Sequence, residues 1–179
     1  MGRRKTIDRN TLLDIAEKIV SEQGARALTI EALANAAGIT KGGVQYSFRS
    51  KEVLIDAMFE RWDAAYHRIL SQLTGGNPAP LTRVAGHIEA TRLTDDTSNA
   101  RAASLMTALL QSPEQLASTR RWYRSVIDGL DTSDKQGRRA RLAFLATEGA
   151  FVLRFFGLMD ISQEEWQDML KDAAALLQD

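Results

Sequence analysis

Residues 29–51 read TIEALANAAGITKGGVQYSFRSK and predict two short helices joined by a tight turn, with a third helix directly behind. Thr29 is a good N-cap, and apolar residues follow it from Ile30 at the i, i+3, i+4 and i+7 spacing of one helical face. Gly38 can adopt the left-handed conformation that ends a helix. Thr40 then predicts the start of the second helix.

The second helix has an unusual composition for a helix that is only structural. Its inward face needs only Val44 and Phe48, while Gly43, Gln45 and Tyr46 lie on the outward side. Two adjacent glycines cost roughly 1 kcal/mol each relative to alanine, which favours a surface that another molecule approaches closely. A short helix, a glycine turn and a second helix with a polar face are typical of the helix-turn-helix motif, whose second helix enters the DNA major groove.

The segment resembles the DNA-binding domain of the TetR family of bacterial repressors. One position departs from the family pattern, because the residue after Val44 is usually tyrosine and is Gln45 here. The base preference of a relative therefore cannot be transferred to this chain. The residues that carry the resemblance, in matching order, are Ala16, Gly24, Thr29, Ile30, Leu33, Ala34, Ala37, Gly38, Ile39, Thr40, Lys41, Gly42, Val44, Phe48, Lys51 and Leu54.

Several side chains of this region are candidates for DNA contacts. Lys51 lies in the first turn of the third helix, where the dipole disfavours a cation unless a phosphate lies opposite. Gln45 can form a bidentate pair with adenine, and a basic N-terminal arm can reach phosphates or the minor groove. The predicted DNA-binding residues are Arg3, Arg4, Thr29, Thr40, Lys41, Gly43, Gln45, Tyr46 and Lys51.

The chain carries no net charge, but its charges are unevenly distributed. Residues 1–51 contain nine Lys and Arg against five Asp and Glu, and the remainder compensates with an acidic excess. A basic head on an acidic body is expected where DNA binding is confined to one end of a protein.

The rest of the chain predicts only helices. An apolar stripe continues from residue 51 to about Leu73, and further helices are predicted at 81–93, 100–111, from Pro113, at 135–156 and at 162–178. We therefore predict an all-α fold of about nine helices. Residues 1–51 form a helix-turn-helix DNA-binding domain, and residues 52–179 form a helical ligand-binding and dimerisation domain.

The last two predicted helices have more apolar surface than one small body needs to bury. A self-complementary interface of four helices, two from each subunit of a homodimer, is the simplest explanation, and the family resemblance implies the same dimer. The alternative is that these residues face the core of a single chain. The candidate interface residues are Leu145, Val152, Phe156, Trp166, Met169, Leu170 and Ala173.

The family resemblance also implies a pocket for a small-molecule effector in the helical body. If His87, Arg92 and Glu148 converge, they favour a polar or charged group on that ligand. Ordinary core packing is an equally good explanation for each candidate, because large helical cores need aromatic residues. The candidate ligand-binding residues are Trp62, Tyr66, His87, Met106, Leu110, Tyr123, Glu148 and Phe151.

The composition argues against catalysis and against a metal site. The chain has no cysteine and only two histidines, and it contains no phosphate loop, dinucleotide fingerprint or nucleophile elbow. We therefore predict no enzyme activity, no cofactor and no metal. No apolar run reaches the length of a membrane span and no signal peptide is visible, so we expect no membrane association and a cytoplasmic protein.

These observations predict a ligand-responsive transcriptional regulator. Its most economical form is a repressor that binds a pseudo-palindromic operator as a homodimer and is released by a small-molecule inducer. A regulator without an inducer, or an activator, is the first alternative. A helical small-molecule-binding protein or an enzyme, whose N-terminal head mediates protein contact, is the alternative from a different class.

Overall fold

The computed structural model of the protein describes residues 8–110 and 113–178. Over these residues the chain forms nine α-helices and no strand, which confirms the all-α prediction. The helices are α1 (Arg9–Gln23), α2 (Ile30–Ala37), α3 (Lys41–Ser47), α4 (Lys51–Thr74), α5 (Pro80–Leu93), α6 (Asp96–Leu109), α7 (Pro113–Ile127), α8 (Lys135–Phe155) and α9 (Gln163–Ala175). No helix in the described ranges is long and apolar enough to cross a membrane.

Local capping signals fix the bounds of α2 and α3. The Thr29 hydroxyl accepts a hydrogen bond from the Ala32 N–H at 2.9 Å, and the Thr40 hydroxyl accepts one from the Gly43 N–H at 3.1 Å. Gly38 ends α2 with φ of 65°, in the left-handed region. Each group satisfies backbone atoms that the helix end leaves unpaired, so these bounds agree with the prediction.

Helix α6 begins earlier than predicted. The sequence predicted this helix at residues 100–111, but α6 starts at Asp96. The Asp95 carboxylate accepts hydrogen bonds from the Ser98 N–H at 2.9 Å and the Ser98 hydroxyl at 2.7 Å. Asp95 therefore acts as the N-cap, and a polar sequence that resembles a loop becomes the first helical turn.

The described residues fall into two compact units. The first comprises 8–63, 100–110 and 113–117, and the second comprises 64–99 and 118–178. The predicted division after residue 51 differs from this packing, because Leu54 and Met58 of α4 belong to the core of the first unit. Leu105 and Leu109 of α6 belong to the same core.

The core of the first unit holds the helix-turn-helix segment in place. Leu12 of α1, Leu33 of α2 and both Val44 and Phe48 at α3 are completely buried. Full burial of such a side chain contributes about 1.5–3 kcal/mol. Because α3 has only seven residues, two of them glycine, it depends on this packing rather than on its own helix propensity.

The second unit is built around α5, α8 and α9, which pack against one another. Gly86 of α5 lies close to α4, since a Cβ at this position would come 2.2 Å from Cγ2 of Thr74. Helix α9 begins with a capping box between Ser162 and Glu165, close to the predicted start of this helix.

Candidate functional site

The outward face of α3 is exposed and carries few side chains. The inward residues Val44 and Phe48 are fully buried, whereas the Tyr46 side chain is 91% exposed. The sequence-predicted residues Lys41, Gly43, Gln45 and Tyr46 are all exposed on this short helix. The structure therefore brings these four residues together on one element.

The two glycines of α3 are not required by the backbone conformation of the chain. Neither has a positive φ angle, and a Cβ at Gly42 would meet only the Thr40 hydroxyl at 4.0 Å. A Cβ at Gly43 would lie 3.3 Å from Cδ1 of Ile39, a modest crowding. The absence of a side chain at Gly42 thus has no intramolecular explanation and favours close approach by another molecule.

Thr29 and Thr40 are exposed although both hydroxyls serve as helix caps. In each case the oxygen accepts a backbone hydrogen bond. A hydroxyl that accepts in this way keeps its own hydrogen for donation. Each threonine can therefore cap its helix and donate to an external acceptor at the same time.

Lys51 has an intramolecular partner that the sequence did not indicate. Its ammonium donates to the backbone carbonyl of Ala25 at 3.1 Å and is partly buried. This bond joins the start of α4 to the turn between α1 and α2. Since an ammonium has three donors, a phosphate contact would have to share Lys51 with this structural bond.

The predicted contacts of Arg3 and Arg4 fall in the N-terminal arm. Both residues lie outside the described residues. Their role in DNA binding stays a prediction.

Charges in the first unit are partitioned between paired and unpaired groups. Arg61 of α4 forms ion pairs with Asp14 and Glu17 of α1, and Lys18 lies 3.9 Å from Glu22. By contrast, six basic residues of this unit form no ion pair with any described residue, and they are Arg9, Arg26, Lys41, Arg49, Lys51 and Arg101. The carboxylates of α1 are thus paired with Arg61 and Lys18, which are not among the predicted DNA-binding residues.

A chain of hydrogen bonds crosses the second unit. The Tyr66 hydroxyl lies 2.7 Å from Nδ1 of His87, and Nε2 of His87 lies 2.7 Å from a carboxylate oxygen of Glu148. The Tyr123 hydroxyl bonds to the same carboxylate. His87 is only 2% exposed, so its two ring nitrogens are satisfied by protein groups, as a buried imidazole requires.

Aromatic rings enclose this polar cluster, which we define as Tyr66, His87, Tyr123 and Glu148. The Trp122 ring lies 5.0 Å from the Tyr66 ring and the Phe144 ring lies 5.5 Å from the His87 ring. Both Trp122 and Phe144 are buried. The cluster therefore combines a carboxylate with apolar walls.

The structure unites only part of the predicted ligand-binding set. The members of the polar cluster meet in the second unit, whereas Trp62, Met106 and Leu110 belong to the first unit. Leu110 is 58% exposed. Phe151 is buried in the second unit, where its ring lies 5.1 Å from the ring of Phe155.

Arg92 does not join His87 and Glu148, contrary to the hypothesis that the three converge. Its guanidinium bonds to the Glu89 carboxylate at 2.6 and 2.7 Å and to Gln167 at 3.0 Å. This hydrogen bond lowers the pKa of the Glu89 carboxyl. The one-turn spacing of Glu89 and Arg92 on α5 makes this local pair.

Three of the predicted dimer-interface residues are buried within a single chain. Trp166 and Leu170 are completely buried and Ala173 is 3% exposed within a single chain, so they form its core instead of a contact surface. Val152, Phe156 and Met169 are half-buried. On α8, Leu145 and Leu142 are each 55% exposed, and Leu153 is 39% exposed.

Two other kinds of site can be assessed. Among the described residues, no group of three His, Cys, Asp or Glu side chains could hold a metal ion. A cavity of about 220 Å³ is lined by residues that include Pro80, Leu130, Asp131 and Asp134. This lining shares no residue with the polar cluster, so the cavity is separate from it.

Comparison with known proteins gives matches over both parts of the chain. Residues 12–58 match the family model described as bacterial regulatory proteins, tetR family. Residues 81–178 match the model described as tetracyclin repressor-like, C-terminal domain.

Curated relatives match over shorter stretches. The transcriptional repressor KstR2 of Rhodococcus jostii is 46% identical over 48 residues, which cover 27% of this chain and 24% of that protein. KstR2 of Mycobacterium tuberculosis is 35% identical over 81 residues, covering 44% of this chain and 39% of that protein. The aligned stretch therefore spans less than half of either curated relative.

Solved structures agree with the fold over nearly the whole chain. A transcriptional regulator from Rhodococcus sp. Rha1 is similar with a TM-score of 0.71, 18% identity and 96% coverage of both chains. The SmeT–triclosan complex is similar with a TM-score of 0.66 and 21% identity, covering 93% of this chain and 90% of that chain. At these identities the likeness concerns the fold alone.

The buried Tyr123 hydroxyl leads to a prediction about alkaline stability. Burial, followed by the charge and hydrogen bond of Glu148, raises the pKa of Tyr123 far above its usual range. The folded state then keeps a proton that the unfolded chain loses above about pH 10. The free energy of unfolding should therefore fall as pH rises beyond that value.

Denaturant unfolding of the wild type and of Tyr123→Phe between pH 8 and 11 measures this effect. We expect the decline with pH to be shallower in Tyr123→Phe, whereas Tyr46→Phe, which alters an exposed tyrosine, should decline like the wild type. Equal slopes in all three proteins would contradict the assignment.

Proposed function

Because the chain belongs to the TetR family of bacterial regulatory proteins, we propose that it is a ligand-responsive transcriptional repressor. It acts in the cytoplasm and binds a pseudo-palindromic operator as a homodimer. The observation that carries this proposal is the exposed, side-chain-poor face of α3, held by the buried Val44 and Phe48. Such a helix can enter a major groove.

The base contacts come from the outward face of α3. The exposed Gln45 can pair with the N6 and N7 atoms of adenine, and Tyr46 extends beside it. The bare backbone at Gly43 lets the helix approach the base edges without a side chain in between. These three residues set the sequence preference of the protein.

Phosphate contacts fix the position of α3 in the groove. Lys41 is exposed without an ion-pair partner among the described residues, and the hydroxyls of Thr29 and Thr40 retain a hydrogen for donation. Arg3 and Arg4 of the basic arm contribute contacts to phosphates or to the minor groove. Lys51 contributes through the donors that its bond to Ala25 leaves available.

The dimer forms through the exposed apolar face of α8. Leu142 and Leu145 are each 55% exposed, and Leu153 is 39% exposed on the same helix. The half-buried residues Val152 and Phe156 adjoin this face, and Met169 of α9 adds to the contact. Two heads must enter the DNA about 34–36 Å apart, so a dimer is needed to read both halves of a pseudo-palindrome.

The effector site is the polar cluster with its aromatic walls. A carboxylate between aromatic rings suits a ligand that has an apolar body and a hydrogen-bond donor or positive charge. Because the cluster is already hydrogen-bonded internally, a ligand has to replace some of these bonds. Effector binding would therefore rearrange the side chains of α5 and α8 and lower the affinity for DNA.

Sequence-specific binding is tested first with Gln45. Selection from a random-sequence duplex pool should give the wild type a two-fold-related site. Gln45→Ala should lose about 1–3 kcal/mol at one position of each half-site and accept other bases there, because it removes one bidentate contact. Gln23→Ala, which changes an exposed glutamine of α1, serves as the matched control.

A wild-type protein that selects no sequence would contradict the proposed function. A Gln45→Ala variant with an unaltered site would show only that this residue does not read a base.

The dimer is tested at Leu145. Leu145→Glu puts a charge on a surface that a partner would bury, which costs several kcal/mol in a closed interface. Sedimentation should show folded monomers that bind the selected duplex weakly, because the second head is no longer linked to the first. Leu93→Glu alters a leucine of the same 55% exposure and should stay dimeric. A dimeric Leu145→Glu protein would place the interface elsewhere.

The effector site is tested with compounds that release the wild-type protein from its selected duplex. Glu148→Gln keeps the shape of the side chain but removes its charge, so release should require at least about tenfold more compound, the equivalent of about 1.4 kcal/mol. Glu164→Gln on the exposed start of α9 is the control. Equal release concentrations for both variants and the wild type would exclude the polar cluster as the effector site.

A further inference from the structure

Arg9 occupies a distinctive position beside the helix-turn-helix segment. It is the first residue of α1, and its guanidinium carbon lies 5.1 Å from the centre of the Phe48 ring. Phe48 follows the last residue of α3 and is completely buried. A guanidinium over an aromatic face is attracted to the ring electrostatically, so the packing of α1 against the end of α3 fixes where this charge lies.

No carboxylate in the described ranges is paired with Arg9. Its neighbour Asp8 is engaged in capping α1, where it accepts hydrogen bonds from the N–H groups of Asn10 and Thr11. Within α1, Asp14 and Glu17 pair with Arg61, and Glu22 lies 3.9 Å from Lys18. Arg9 remains exposed and forms no ion pair with any residue in the described part of the chain.

We propose that Arg9 binds a DNA phosphate at the edge of the major groove that α3 enters, and that Phe48 is the residue that positions it. This inference rests on the proposed function, since it assumes that α3 lies in the groove. A duplex has a phosphate strand along each edge of that groove, and contacts to phosphates fix the register of the recognition helix. Arg9 thereby adds α1 to a DNA surface that the sequence assigned to residues 29–51 and the N-terminal arm.

The planar guanidinium is well suited to this task. It offers five donors and can pair with two phosphate oxygens at once. Because the ring of Phe48 already restricts its orientation, less side-chain entropy is lost when the phosphate binds. The competing explanation is that Arg9 only covers the buried ring and has no contact with DNA.

The test separates the charge of Arg9 from its covering role. Arg9→Met keeps a flexible apolar chain over the Phe48 ring but removes the charge, whereas Arg9→Lys keeps the charge. Lys18→Met is the matched control, because Lys18 is an exposed cation of the same helix that lies near Glu22. Each protein is titrated with the wild-type-selected duplex between 50 and 200 mM salt, and thermal unfolding checks that all variants fold.

Loss of one phosphate contact lowers the magnitude of the salt slope by about 0.9. Over this fourfold range of salt, Arg9→Met should therefore lose about 3.5-fold less affinity than the wild type does. Arg9→Lys and Lys18→Met should keep the wild-type slope. A folded Arg9→Met protein with the wild-type slope would overturn the proposal and leave Arg9 as a cover for Phe48. A wild-type protein that selects no duplex would instead overturn the proposed function, and the Arg9 contact with it.

Discussion

The burial of Val44 and Phe48 is the interaction on which the candidate DNA surface depends. Helix α3 has seven residues and two adjacent glycines, far below the length at which an isolated helix is stable in water. Both anchors are completely removed from solvent, and the Thr40 hydroxyl caps the first turn. Packing against α1, α2 and α4 thus stabilises a helix whose outward face can remain bare.

Ion pairs between α4 and α1 determine which basic side chains of the first unit stay available. Arg61 reaches from α4 to Asp14 and Glu17 on α1, which removes those carboxylates as competitors for the bases near α3. These partly exposed pairs contribute little stability on their own, but they determine which cations stay available. A chain with no net charge can therefore present a locally basic surface, and Arg9 over Phe48 is part of that arrangement.

In the second unit, the polar groups of the cluster are hydrogen-bonded to one another. A partly buried carboxylate and a buried imidazole would be costly without partners, and each is hydrogen-bonded to a tyrosine and to the other. The cluster is therefore complete without a ligand. An effector that binds there has to offer better bonds than Tyr66 and Tyr123 do, which would couple ligand chemistry directly to the positions of α5 and α8.

The sequence alone determined the helices and the motif, because capping by Thr29 and Thr40 and the left-handed Gly38 are local signals that act within one turn. Contacts between distant segments were decided only by the tertiary structure. The bond of Lys51 to Ala25 spans 26 residues and that of His87 to Glu148 spans 61. Arg92 instead bonds to Glu89, three residues before it on the same helix.

The apolar stripe of α9 showed that Trp166 and Leu170 would be buried, but periodicity gives only the face of a helix. Whether its own chain or a second copy covers that face depends on how the helices pack, and here the chain itself covers it.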